Sequence, residues 1–154
     1  MLELRRPTPD LVDALAAFFE RLAASPDGAH FHPHPLTRDE AARRCAYAGR
    51  DVYGVAVAEG TVLGYGMLRG WDEGFDVPSL GIAVDADARG TGLGRLVMLW
   101  LHAEARRRGA AKVRLKVYPG NATAVRLYES LGYVFERDLV DGQRLGFKTL
   151  ERGP

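Results

Sequence analysis

The feature that most constrains this fold is a glycine-rich turn between a short apolar segment and an amphipathic segment. Residues 78–84 are almost entirely apolar, which predicts a strand that is buried on both faces. Residues 93–108 carry Leu and Val at helical spacing and end in three arginines, which predicts a helix. The chain between them reads Arg89-Gly90-Thr91-Gly92-Leu93-Gly94-Arg95. This order predicts a strand–turn–helix unit within an α/β protein.

The glycines of this turn have a chemical consequence. Because glycine lacks Cβ, successive backbone N–H groups can point toward one place at the helix N-terminus, where unpaired donors carry partial positive charge. Arg89 and Arg95 would add charge-assisted contacts to phosphate oxygens. The turn therefore predicts a phosphate site, and simple packing of helix on strand is the alternative for such a motif alone.

Two common phosphate-binding motifs do not match this turn. A Walker A loop requires Lys and then Ser or Thr after its last glycine, where this chain has Arg95-Leu96. The dinucleotide fingerprint requires a third glycine at the position of Arg95. Nucleoside triphosphate hydrolysis and dinucleotide binding are therefore disfavoured.

The remaining elements predict a mixed α/β sheet with parallel pairing inside residues 78–117 and hairpins toward one side. Caps and hydrophobic periods predict helices at 9–24, at 38–47 after a capping box that starts at Thr37, and from the cap Asn121 to 131. Alternating segments predict strands at 2–5 and 112–117. Turn residues predict a hairpin of 52–58 and 61–69 and a closing hairpin of 133–138 and 144–150.

Composition and charge exclude several classes of protein. A length of 154 residues predicts a single domain over 1–154. The 21 basic and 20 acidic residues leave a net charge of +1, so we expect no nucleic-acid partner and no anionic membrane surface. Cys45 is the single cysteine, which excludes an intrachain disulfide. The longest apolar run, 96–101, is too short to span a bilayer, and we expect a cytoplasmic protein.

Two motifs carry a family resemblance. Residues 84–94 resemble the Arg/Gln-x-x-Gly-x-Gly/Ala pyrophosphate motif of the Gcn5-related N-acetyltransferase (GNAT) superfamily, and residues 121–133 resemble its second cofactor motif at the expected distance. The order of elements also matches, so the resemblance covers nearly the whole chain, with its specific part at 79–135. It implies a GNAT-like mixed central sheet of six to seven strands flanked by about four helices.

The resemblance implies acetyl-CoA as co-substrate. The amides of the glycine turn would hold its pyrophosphate, and the strand before the turn would bond the pantetheine arm, with an amide near Ala83 or Val84 polarising the thioester carbonyl. The second motif would line the other side of the arm. The residues expected at the cofactor are Ile82, Ala83, Val84, Arg89, Gly90, Thr91, Gly92, Leu93, Gly94, Arg95, Asn121, Ala124 and Tyr128.

Acetyl transfer requires a neutral amine, stabilisation of an oxyanion and a proton for the departing thiolate. By resemblance Tyr128 is the general acid, since a phenol with a pKa near 10 stays protonated at pH 7, and core packing is its alternative role. Many relatives carry a glutamate where Ser79 stands. Water held by Ser79, the loop carboxylates Glu73 and Asp76, or a histidine of segment 30–34 are the alternatives for the base.

Segment 30–34 contains three histidines at alternating positions. The intervening proline and the lack of a paired carboxylate disfavour a metal site, and no metal is expected. In the superfamily this region commonly walls the acceptor pocket, so Phe31, His32 and His34 are expected to bind substrate, with an ordinary surface loop as the alternative. Their rings and neutral donors suit a polar or sugar-like acceptor.

These observations together predict an N-acetyltransferase that moves the acetyl group from acetyl-CoA directly to a primary amine of a small molecule in a ternary complex. An amino sugar is the first candidate acceptor. A protein N-terminus or lysine side chain is the second, and a non-catalytic acyl-CoA-binding module is a further alternative. Dimers are common in the superfamily, which leaves a homodimer open.

Overall fold

The computed structural model describes residues 1–31 and 33–151, and its centre is one mixed sheet of seven strands in the order β1-β2-β3-β4-β5-β7-β6. The elements are β1 Leu2–Arg5, α1 Val12–Ala23, α2 Arg38–Cys45, β2 Val52–Ala58, β3 Thr61–Arg69, β4 Ser79–Val84, α3 Leu93–Arg107, β5 Lys112–Val117, α4 Ala122–Ser130, β6 Val134–Val140 and β7 Gln143–Thr149. The predicted mixed sheet of six to seven strands with about four helices is confirmed.

Two apolar layers cover the two faces of the sheet. On one face α1 and α2 pack with alternating residues of β2 and β3, a cluster that includes Phe19, Tyr65 and Met67. On the other face α3 and α4 pack with the intervening strand residues, among them Leu68 and Leu115. No helix in the described segments is long and apolar enough to cross a membrane.

Both predicted hairpin turns form at the expected residues. Glu59 and Gly60 have φ values of 50° and 79°, and Asp141 and Gly142 have φ values of 52° and 77°. Positive φ at both central residues is the geometry of a two-residue turn whose twist matches that of the flanking strands. These turns fix the registers of β2 with β3 and of β6 with β7.

The capping box at the start of α2 forms only in part. The Thr37 hydroxyl accepts a hydrogen bond from the Glu40 amide at 3.2 Å, as predicted. The Glu40 carboxylate does not complete the box, because it is buried and pairs with Arg43 at 3.3 Å and Arg44 at 2.8 Å. The helix ends at Cys45, two residues earlier than the sequence predicts.

The parallel pairing of β4 with β5 is confirmed, but it is limited to one pair of residues, Ser79 and Arg114. Beyond this pair the two strands diverge and leave what we call the β4 gap, the space beside residues 81–84. These four residues are only half-buried. The prediction that 78–84 is buried on both faces is therefore wrong, because the neighbouring strand does not cover its edge.

A buried histidine makes the stability of the fold decrease at acid pH. His102 of α3 is 1% exposed, its Nε2 lies 2.7 Å from the Tyr133 hydroxyl, and burial lowers its pKa to about 4. The unfolded chain takes up this proton near pH 6.5 and the folded chain does not, so stability is lost as pH falls from 6.5 to 4. We expect a loss of about 3 kcal/mol over this range, measured by urea unfolding.

The substitution His102→Gln removes the titrating group and should flatten this pH dependence, whatever it costs at pH 7. The matched control is His30→Gln, because His30 is exposed. An equally steep loss of stability in His102→Gln would contradict the assignment.

Candidate active site

The β4 gap exposes backbone groups of a central strand. The Arg114 amide donates to the Pro78 carbonyl at 3.0 Å, so the even-numbered residues of β4 direct their backbone groups toward β5. The Asp85 amide donates to the Leu63 carbonyl at 2.8 Å, which shows that the odd-numbered residues face β3. The N–H and C=O groups of Ile82 and Val84 therefore face the gap. An edge of this kind binds an extended chain as an added strand.

The backbone amides of Ala83 and Val84, which were both expected near the thioester, point to opposite edges of β4. Ala83 pairs with Tyr65 of β3, and its amide is directed toward that strand. Val84 is one of the even-numbered residues of β4, so its amide faces the β4 gap. Of the two, Val84 is placed to donate to a group bound in the gap.

The glycine turn follows β4 and forms the N-terminus of α3. Gly90 and Gly92 have φ values of 74° and 85°, in the left-handed region that favours glycine. Gly92 is the N-cap and no side chain caps the helix, so the first amides of α3 keep their unpaired donors. A Cβ added to either glycine would meet no atom within 4 Å. The turn thus presents unpaired backbone donors in open space at a helix N-terminus, an arrangement that can bind a phosphate group.

Gly94 lies closer to its neighbours than the first two glycines do. It lies inside the first turn of α3, and a Cβ placed on it would be 3.7 Å from both Val84 and Leu127, which is ordinary van der Waals contact. The helix N-terminus therefore lies against the end of β4 and the side of α4. The glycine turn, β4 and α4 are therefore held together at one place.

The two arginines of the turn have neighbours of their own. Arg89 forms an ion pair with Asp27, and both side chains are about half-exposed, at 53% and 43%. Arg95 donates to the Ser130 hydroxyl at 3.4 Å. A phosphate at the turn would compete with Asp27 for the Arg89 guanidinium. The contribution of both arginines to phosphate binding stays a prediction.

The second motif begins α4 and places Tyr128 in the core. The Asn121 side chain accepts from the Ala124 amide at 3.3 Å and caps the helix, as expected. Tyr128 is 9% exposed, and burial raises its pKa to about 12. It packs in the same cluster as Ile82 and Val84. A phenol with this pKa stays protonated at neutral pH and can donate a proton, so packing and acid roles are compatible.

A cleft of about 620 Å³ opens on the face of the sheet opposite to α3 and α4, beyond the part that α1 and α2 cover. Ser79 is exposed at the start of β4, and Glu73 and Asp76 are exposed in the loop before it, so the structure brings three of the proposed base residues together. The cleft is lined by Pro33, Met67, Arg69, Gly70, Glu73, Phe75, Asp76, Val77, Ser79, Leu80, Gly81, Lys112, Arg114 and Phe147.

Three cations in this cleft were not predicted as site residues: Arg69, Lys112 and Arg114. On β5 the alternation of Lys112 and Arg114 with buried valine was interpreted only as a strand pattern. The signal that could have found them is that two cations alternate on the solvent side of a strand next to the glycine unit. Their closeness to Arg69 depends on strand register, which sequence alone does not give.

The expected acceptor-binding rings lie in an aromatic cluster next to the cleft. Phe31 is buried, and its ring lies 3.8 Å from where a Cβ of Gly81 would be. His34 packs in the same aromatic cluster. Its Nδ1 lies 2.7 Å from the Pro35 carbonyl oxygen and its Nε2 lies 2.8 Å from the Tyr65 hydroxyl. Burial lowers the pKa of this histidine. His32 lies outside the described residues. Of the described residues of this segment, Pro33 lines the cleft. A role of Phe31, His32 and His34 in acceptor binding stays a prediction.

The glycine turn can be tested with one charged substitution. Gly92→Asp would place a side chain and a negative charge among the donors, and we expect CoA affinity to fall at least about tenfold by calorimetry. Gly60→Asp is the matched control, because Gly60 has a similar φ of 79° and equally open surroundings, so the backbone strain is comparable. A folded Gly92→Asp protein that binds CoA like the parent would refute the phosphate site.

The sequence matches the model of the acetyltransferase (GNAT) family over residues 11–133. Similar proteins include a mycothiol acetyltransferase of Thermobispora bispora, 39% identical over 115 residues that cover 67% of this chain and 39% of the relative. The ribosomal protein bS18-alanine N-acetyltransferase of Escherichia coli K12 is 48% identical over 52 residues, 34% of this chain and 35% of the relative. The matches thus cover well under half of these relatives' lengths.

Solved structures share the fold over almost the whole chain. A GCN5-related N-acetyltransferase from Kribbella flavida is 26% identical with a TM-score of 0.78, covering 97% of this chain and 98% of that one. The PaiA N-acetyltransferase from Thermoplasma acidophilum, solved in complex with coenzyme A, is 15% identical with a TM-score of 0.76, covering 97% and 99%, which shows the fold alone. With its two motifs, its fold and the family match in agreement, this chain belongs to the acetyltransferase (GNAT) family.

Proposed function

We propose that this protein is an N-acetyltransferase that moves the acetyl group of acetyl-CoA directly to a primary amine of a small molecule in a ternary complex. The observation that carries the proposal is the continuity of the site. The open edge of β4 runs from the glycine turn at Gly92 to the cleft at Ser79. A cofactor with a phosphate end and a reactive end would lie along this edge with its thioester beside the cleft.

The chain offers complementary groups for two parts of acetyl-CoA, the pyrophosphate and the pantetheine arm, and acetyl-CoA supplies the acetyl group as an activated thioester. The unpaired amides at the start of α3 would hold the pyrophosphate. Backbone groups of Ile82 and Val84 would bond the pantetheine arm in the manner of a neighbouring strand. Asn121 and Ala124 at the start of α4 would line its other side.

The transfer itself follows from these positions. The amine nitrogen attacks the thioester carbonyl, an N–C bond forms, the C–S bond breaks, and the amine loses a proton while the thiolate gains one. A backbone amide of β4 that faces the gap would donate to the oxyanion, and Tyr128 would give its proton to the sulfur. Glu73, or water held by Ser79, would accept the proton of the amine, since both residues line the cleft.

The acceptor is proposed to be a small molecule because the volume of the cleft, about 620 Å³, lies in the range of small-ligand pockets. An amino sugar remains the first candidate from the sequence. The second candidate is a protein N-terminus or lysine side chain, favoured by similarity to an enzyme named for ribosomal protein bS18-alanine. A cytoplasmic location, a single domain and a homodimer stay predictions.

The substitution Tyr128→Phe tests the proposed acid. We expect turnover, measured as release of CoA thiol with a panel of primary amines, to fall about a hundredfold, because a positioned acid typically contributes this much. The Kd for acetyl-CoA should stay within about twofold, since the ring that packs in the core is retained.

Tyr133→Phe is the matched control, because Tyr133 is buried beside Tyr128 and its hydroxyl contacts His102 instead of the gap. It should lower stability and leave turnover unchanged. Equal turnover in Tyr128→Phe and the parent would remove Tyr128 from the mechanism. Tight binding of acetyl-CoA with no reaction of any amine would favour the non-catalytic module.

A further inference from the structure

Two arginines flank the serine at the junction of the cleft and the β4 gap. Arg69 of β3 pairs in register with Ser79, and Ser79 pairs with Arg114 of β5. Because neighbouring strands lie about 4.8 Å apart, the three residues form one row across the sheet. Lys112 lies two residues before Arg114 and so points to the same face. We call Arg69, Lys112 and Arg114 the cation cluster, and all three line the cleft.

The cation cluster has no carboxylate partner among the described residues, although ten ion pairs join other side chains there. Arg69 donates to the Pro33 carbonyl, and Lys112 lies 4.8 Å from the centre of the Phe147 ring. The buried Nε of Arg114 has no hydrogen-bond acceptor among the described residues. The three cations on one face of the sheet repel one another, and a buried donor without an acceptor is destabilising. A bound anion would remove both penalties.

The rim of the same cleft carries the opposite charge. Glu73 and Asp76 are exposed in the loop before β4, line the cleft, and form no ion pair with the cation cluster in the described structure. The floor of the cleft is therefore positive and part of its rim is negative. Ser79 is neutral, and a carboxylate at that position would pair with the two flanking arginines and occupy them.

We propose that the acceptor is a small amine that also carries an anionic group, a carboxylate or a phosphate. The cation cluster binds this group, and Glu73 and Asp76 draw the ammonium end toward the β4 gap. The inference rests on the proposed function, since it assigns the substrate class of the same cleft. Arg114 and Lys112 are specificity-determining residues in this account and take no part in proton transfer.

The test compares amines that differ only in the anion. Glucosamine 6-phosphate is paired with glucosamine, and 4-aminobutyrate with its methyl ester, under saturating acetyl-CoA. We expect kcat/KM to favour the anionic member of at least one pair by about tenfold or more, and the pair that responds distinguishes phosphate from carboxylate. Arg114→Gln and Lys112→Gln should each remove most of that preference, mainly by raising KM for the anionic member. Arg137→Gln, on the exposed side of β6, is the control.

Calorimetric titration of the CoA-saturated protein with inorganic phosphate and with succinate tests the cluster independently of turnover, because CoA fills the glycine turn. Binding that Arg114→Gln and Lys112→Gln abolish supports the anion site, even where no amine reacts and the proposed acetyl transfer fails. Equal use of charged and neutral amines, together with no anion binding in the parent protein, overturns the inference. An equal loss of kcat/KM for both members of a pair in both variants also overturns it, since that result indicates a structural role.

Discussion

The single bridge between β4 and β5 is the constraint on which the site depends. Ser79 and Arg114 are the one paired position of these parallel strands. A longer ladder would have used the backbone groups of Ile82 and Val84 and closed the β4 gap. Because the strands diverge instead, an edge in the middle of the sheet stays open, with the glycine turn at one end and the polar cleft at the other. The open edge weakens the sheet and leaves backbone groups free at the place where we propose that acetyl-CoA binds.

The elements around the gap serve stability and function through the same contacts. The first turn of α3 lies against Val84 and Leu127, a contact that packs the core and also places the helix N-terminus at the end of β4. Burial of Tyr128 contributes to that core and raises its pKa to about 12, which keeps the proposed acid protonated. Substitutions here therefore need controls that separate folding from activity, because one change affects both.

Local signals in the sequence predicted the elements and the glycine turn, since caps, turn residues and periodicity act over a few residues. The features that the sequence did not predict depend on long-range packing. Half-exposure of β4 follows from the divergence of β5, and the placement of Phe31 and His34 follows from contacts with Tyr65 of a distant strand. The row of Arg69 and Arg114 beside the serine requires the registers of three strands, which no local pattern contains.

The most direct test of the central claim is thermal unfolding of the protein with CoA, acetyl-CoA, ATP and NAD added separately. A ligand at about 100 times its Kd stabilises the folded state by roughly 2.7 kcal/mol, which raises the midpoint of a domain of this size by several degrees. The account predicts this rise with CoA and acetyl-CoA and none with ATP or NAD. A cooperative transition that neither CoA compound shifts would contradict it, and would leave the glycine turn as packing alone.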